Sequence, residues 1–161
     1  MPRDFIREVA ILCHEANEGI GLSENVFDLP LHISLKKSFR CDRFPEIRDA
    51  VRDYFTSRGP FTVTTDRVVL HKGMIWLTLK SEGELLEIHR DLDRMLHDSF
   101  GVPIHPFDRR FLSHISLFTK GDKEDIDAMY DILRDEFQSR RLTVSRIVVG
   151  ASNYSDEFID I

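Results

Sequence analysis

His32-Ile33-Ser34-Leu35 and His114-Ile115-Ser116-Leu117 are the same tetrapeptide, met twice in 161 residues and 82 positions apart. In a β-strand, residues two apart point to the same side, about 6.6–7 Å from each other. On that reading His32 and Ser34 share one face, as do His114 and Ser116, while Ile33, Leu35, Ile115 and Leu117 turn toward a core. A single His-x-Ser carries no information. Two copies with apolar residues at both alternate positions are expected by chance only about 0.01 times. Both copies also sit in basic surroundings. Residues 30–43 carry Lys36, Lys37, Arg40 and Arg43 against Asp42, and residues 107–120 carry Arg109, Arg110 and Lys120 against Asp108. The chain as a whole has a net charge of −6, so these +3 and +2 islands leave −11 on the remainder.

Outward from the two tetrapeptides, the hydrophobic pattern predicts strands over 5–12, 31–37, 61–70, 74–79, 111–118 and 142–149, with a short one over 157–161. Helices are expected over 46–55, from 81 or 82 to about 100, and from about 123 to 137. In the last, Ile126, Met129, Tyr130, Leu133 and Phe137 recur at helical spacing. Gly101 and Pro103 end the second helix, and His71-Lys72-Gly73 turns the chain between two strands. In this order the second half repeats the first, with a helix where the first half has a loop. The fold class expected is α+β, with two pseudo-symmetric lobes of antiparallel sheet flanked by helices around a central cleft. Residues 1–161 are expected to form one two-lobed domain.

Composition excludes several classes. The chain is 42% hydrophobic and 31% charged, with twelve Phe, which is a globular rather than a disordered composition. No apolar run reaches the roughly 18–20 residues of a spanning helix, and the mixed charges of residues 1–8 do not make a secretory signal. Two cysteines, Cys13 and Cys41, are too few for a disulfide framework or a zinc site, so no metal and no cofactor are expected, in a reducing, cytoplasmic setting. An acidic body with basic islands suits a small anionic ligand or a nucleic-acid end better than a long duplex. There is no Walker or dinucleotide-binding glycine loop.

If the two polar faces meet, two imidazoles flank one bound group. An unperturbed imidazole titrates near pH 6.5, so one ring can accept a proton while the other donates one. The Ser34 and Ser116 hydroxyls and nearby cations can hydrogen-bond phosphoryl oxygens. Two acid/base groups with anion-binding donors describe in-line attack on a phosphodiester.

These residues resemble the two-histidine (2H) phosphoesterase superfamily, whose bacterial and archaeal members are known as 2′-5′ RNA ligase-like or LigT-like proteins. Its mark is two copies of His-hydrophobic-Thr/Ser-hydrophobic about eighty residues apart. Met74-Ile75-Trp76-Leu77 resembles the tryptophan-bearing strand before the second motif, and Phe100-Gly101 together with 110–117 resembles the approach to it. The resemblance implies hydrolysis of 2′,3′-cyclic phosphates without a metal, with reversible 2′-5′ RNA ligation in some members. It makes His32 and His114 the acid/base pair and Ser34 and Ser116 the phosphate donors. The chain departs from ligase-like members in having Ser twice instead of Thr, as the branch trimming a spliceosomal small nuclear RNA does. It also has Phe118, Thr119 and Lys120 where an Arg often follows the second motif.

Strand parity places Lys36 on the His32 face, and Phe118 and Lys120 on the His114 face. Lys36, Phe118, Lys120 and Trp76 are therefore the candidate substrate contacts, with packing the alternative for Phe118 and Trp76. His89 and His97 read as structural, His71 as a turn residue and His105 as a loop residue. The partner expected is a small nucleotide or short RNA end with a cyclic phosphate, with no membrane and a monomeric protein. Two alternatives stay open: an exonuclease leaving a cyclic phosphate at RNA 3′ ends, and a module that binds phosphorylated RNA ends without turnover.

Overall fold

The computed structural model describes residues 1–22, 31–80, 83–119, 121–151 and 154–161, with the backbone alone for 154–158. Lys120 and the expected helix start at 81–82 lie outside the described residues. The elements are α1 (Arg3–Asn17), α2 (Phe44–Arg58), β1 (Phe61–His71), β2 (Met74–Leu79), α3 (Glu84–Phe100), α4 (Pro106–Arg109), β3 (His114–Phe118), α5 (Lys123–Glu136), β4 (Arg141–Val144), β5 (Arg146–Ala151) and β6 (Tyr154–Asp160). One sheet has the order β3-β2-β1-β4 and a second pairs β5 with β6. The β1–β2, β2–β3 and β5–β6 pairs are antiparallel. The fold class is α+β, with antiparallel sheets flanked by helices.

The chain divides into two compact units, each assembled from three separate stretches. The first comprises 1–34, 63–80 and 113–142; the second comprises 35–62, 81–112 and 143–161. The division therefore does not follow the N- and C-terminal halves, and both tetrapeptides fall in the first unit.

In the first unit α1 packs against α5, and α5 lies against β2. Residues 5–12 are helical, not the expected strand. Phe5, Val9, Cys13 and Ala16 are buried at spacings of four, four and three. Charges at 3–4 and 7–8 alternate with the apolar pairs 5–6 and 9–10, a period near 3.6 that the short apolar run disguises. In the second unit α2 packs against α3 and β5, burying Phe44, Ile47, Val51 and Phe55 on one stripe. Gly101 ends α3 in the left-handed region at φ 68°, its N–H donating to His97 O, as a C-terminal glycine can without strain. The single strand expected over 142–149 is two, β4 and β5, and the last strand begins earlier than expected, at Tyr154.

Residues 31–37 form no strand, against the expected one. Exposure still alternates there, with Leu31 buried, His32 exposed, Ile33 half-buried and Ser34 exposed. The backbone then bends at Leu35 and Lys36, because its polar groups are taken by side chains instead of a strand ladder. Leu35 O lies 2.8 Å from His89 Nδ1. The Lys37 N–H donates to Asp108 Oδ1 at 3.1 Å. The Lys36 ammonium donates to Asp93 Oδ1 and Asp108 Oδ2, each at 2.6 Å, with the three side chains only 12%, 11% and 4% exposed. His89, 2% exposed, also has Nε2 at 2.8 Å from Asp108 O and 3.7 Å from Asp93 Oδ2. Both carbonyl contacts are hydrogen bonds only when both ring nitrogens carry a proton. Phe111 stacks on the same ring at 4.0 Å.

Burial pushes the Asp108 carboxyl up, but the Lys36 hydrogen bond and charge, with the Lys37 and His105 N–H groups, outweigh it and hold it below its ordinary value. The unfolded chain then protonates Asp108 at a higher pH than the folded one. Its contribution to stability is full above the ordinary carboxylate range and is lost as pH falls through the folded value. Urea unfolding at a series of pH values should show the parent losing stability below about pH 4 more steeply than Asp108→Asn. At pH 7, Lys36→Met should cost about 3–5 kcal/mol, since it leaves two buried carboxylates without their cation.

Candidate functional site

The second tetrapeptide is placed by the registers of β2. Lys72 and Gly73 connect β1 to β2 with φ values of 51° and 76°, the positive pair a two-residue hairpin turn calls for. This turn sets His71 opposite Met74 and Val69 opposite Trp76. On the other edge of β2, Thr78 faces His114, Leu77 faces Ile115 and Trp76 faces Ser116. One face of the sheet therefore carries His71, Trp76, Thr78, His114 and Ser116, all half-buried. The opposite face carries Ile75, Leu77, Ile115 and Leu117, each at most 1% exposed. His114 and Ser116 share a face, as strand parity expects.

On that face three rings stack. His71 lies 4.0 Å from Trp76 at 18°, and Trp76 lies 3.7 Å from His114 at 15°. The two imidazoles come from β1 and β3, the strands on either side of β2, so they cover opposite faces of the indole. The indole N–H is sealed from solvent and has no acceptor among the described residues. Trp76 thus offers a ligand neither an open face nor a free donor; it forms a seat for His114. Such ring pairs contribute about 0.5–1.5 kcal/mol beyond the area they bury, enough to favour one orientation of the His114 imidazole.

Phe118 does not share the His114 face. Trp76 pairs with Ser116 and Ile75 pairs with Phe118, so Leu117 is an extra residue on β3. A bulge of this kind reverses the side-chain alternation beyond it. Phe118 is turned into the core and is fully buried, which removes it as a stacking surface for a base.

His32 and Ser34 are both exposed and belong to the same compact unit as His114 and Ser116. They stand just before the bend at Leu35 and Lys36. Lys36 is not on a strand, so parity does not apply to it, and its ammonium is committed to two carboxylates instead of facing outward. Two features escape sequence reasoning. His71 reads as a turn residue, yet recognising Lys72-Gly73 as the whole turn would have placed it opposite Met74 and diagonally beside Trp76. The Lys36–Asp93–Asp108 cluster has no comparable sequence signal, because its members lie 57 and 72 positions apart.

A cavity of about 300 Å³ between α1 and residues 136–140 is lined by Phe5, Val9, Leu12 and Phe137 among others, and by neither tetrapeptide. No group of three or more His, Cys, Asp or Glu suited to a metal ion occurs among the described residues. No described helix is long and apolar enough to cross a membrane. The profile of the 2′-5′ RNA ligase superfamily matches residues 10–153, a span that contains both tetrapeptides. No curated protein matches the chain at a significant level.

Trp76 is the only tryptophan, so its fluorescence reports on the stack directly. An imidazole stacked on the indole quenches its emission. His71→Ala and His114→Ala should each raise the emission measured at one fixed pH, and the double variant should raise it further.

Proposed function

The chain belongs to the 2′-5′ RNA ligase superfamily, and from that premise we propose that it is a metal-independent phosphodiesterase opening 2′,3′-cyclic phosphates of nucleotides or short RNA ends. The observation that carries this reading is the doubled His-Ile-Ser-Leu, both copies lying inside the matched span and in one compact unit. In the proposed reaction a water oxygen attacks phosphorus while one imidazole takes its proton. The bond from phosphorus to one ribose oxygen breaks, and the second imidazole protonates that oxygen as it leaves. The product is a phosphomonoester, and the two rings have exchanged protonation states. Two imidazoles supply both proton transfers, each contributing about 10²–10⁴-fold. Ser34 and Ser116 donate hydrogen bonds to the non-bridging oxygens, where negative charge develops.

The seating of His114 suggests how the roles divide. The face of an indole attracts a cation, which suits His114 to hold the proton that the leaving oxygen requires. His32, exposed and outside any strand, is then the base. Ligation is the same ring opening with the 5′-hydroxyl of a second RNA in place of water: that oxygen bonds to phosphorus as one imidazole takes its proton, the bond from phosphorus to the 3′ oxygen breaks, and the other imidazole protonates that oxygen, leaving a 2′-5′ linkage. It depends on the substrate offered and on the equilibrium, so the proposal includes it for 2′-5′ linked RNA.

The test is hydrolysis of a 2′,3′-cyclic mononucleotide in EDTA between pH 5 and 9. The parent should give a bell-shaped rate profile. His32→Ala and His114→Ala should each lower kcat by at least about 100-fold. Ser34→Ala and Ser116→Ala should lower it about 10- to 100-fold. Activity that survives loss of either histidine would sink the assignment. Turnover only of longer RNA, releasing nucleotides from its 3′ end, would replace cyclic-phosphate opening with exonuclease action.

A further inference from the structure

Phe107 is 66% exposed, more than any other large apolar side chain among the described residues. Its exposure is not that of a loose loop. It sits on α4, whose other side is anchored by Asp108, itself 7% exposed. The two carboxylate oxygens of Asp108 accept from the Lys36 ammonium, the Lys37 N–H and the His105 N–H. His105 caps the helix in return, its Nδ1 accepting the Phe107 N–H at 3.1 Å. The His105 ring lies nearly parallel to Phe107, 5.2 Å away at 6°. The aromatic ring is therefore fixed from below and backed on one side, with most of its surface open.

The Lys37 ammonium stands 6.0 Å from the ring centroid, and Arg109 and Arg110 follow Phe107 by two and three residues, both exposed. Asp108, the one carboxylate in this run, points into the buried cluster, where it shares the Lys36 ammonium with Asp93. Lys37, Arg109 and Arg110 make no ion pair with a described residue. A rigid exposed aromatic ring with one ammonium near it, and two exposed guanidinium groups on the same short segment that pair with no described carboxylate, is the combination that single-stranded nucleic acid calls for. An unpaired base stacks on the ring, and the adjoining phosphates meet the cations.

We propose that Phe107, with Lys37, Arg109 and Arg110, forms a stacking platform for one unpaired nucleotide of single-stranded RNA. The choice of RNA over DNA rests on the function proposed above.

Binding is measured by fluorescence anisotropy, using a fluorescein-labelled, unstructured ten-nucleotide RNA with a plain 3′-hydroxyl, which the proposed reaction does not consume. Phe107→Ala should raise Kd about tenfold, and Phe107→Trp should restore it. Replacing Arg109 and Arg110 together by Gln should lower the slope of log Kd against log salt by about 1.4, the loss of two single-strand phosphate contacts. A parent that does not bind the decamer, or a Phe107→Ala variant within twofold of it, overturns the platform. Phe107-dependent binding to phosphatidylserine vesicles without RNA binding overturns it in favour of a lipid surface. Phe107-dependent RNA binding by a protein that opens no cyclic phosphate supports the platform and rejects the proposed reaction. Cyclic-phosphate turnover without Phe107-dependent binding does the reverse.

Discussion

Two carboxylates, Asp93 on α3 and Asp108 on α4, share the ammonium of Lys36 in a largely buried cluster. Charges so far from solvent persist only when paired and hydrogen-bonded, since each unpaired ion would cost several kcal/mol. The three residues therefore have to come together for any of them to be buried. With them come the bend at 35–36, the middle of α3 and the short helix α4. The neighbouring His89 bridges the same three pieces through Leu35 O and Asp108 O. This cluster explains why residues 35–37 have no strand partner, and why α4 turns Phe107 outward while Asp108 points in.

In the first unit the organising constraint is the register of β2. Hydrogen bonding to β1 on one edge and β3 on the other leaves no freedom in which side chains are neighbours. Trp76 falls between His71 and His114 because those registers place it there. The bulge at Leu117 limits the half-exposed face, since the next residue, Phe118, turns to the core. The two tetrapeptides, identical in sequence, are thus held differently. His114 is fixed by a sheet and a ring stack, whereas His32 stands on a segment without strand pairing, whose end is tied down by the buried cluster. That asymmetry underlies the division of acid and base roles proposed for them.

Where the periodicity was long, it was legible. The stripes of α2, α3 and α5 have three or more apolar residues at helical spacing, and the hairpin of β1 and β2 alternates over most of its length. The N-terminal helix reads as a strand because its apolar residues come in adjacent pairs, which over eight positions resemble one. Residues 31–37 also alternate, and their exposure still does; alternation describes an extended chain whether or not another strand lies beside it. The same assumption carried Lys36 to the face of His32. Parity fails at Phe118 for a different reason, since a bulge depends on what the partner strand does and not on its own sequence.

By itself the sequence determined the α+β class, most of the helices, the hairpin, the superfamily and the four residues proposed for the chemistry. All of these are carried by spacing within a few positions or by a motif repeated intact. Only the tertiary structure decided that Trp76 supports a histidine, that His71 joins it, that Phe118 is core, and that the charge of Lys36 is spent inward. Each of those depends on which groups meet from distant parts of the chain. An ammonium ion or a ring face takes its role from its nearest partner, and local spacing does not specify a partner 57 or 72 residues away.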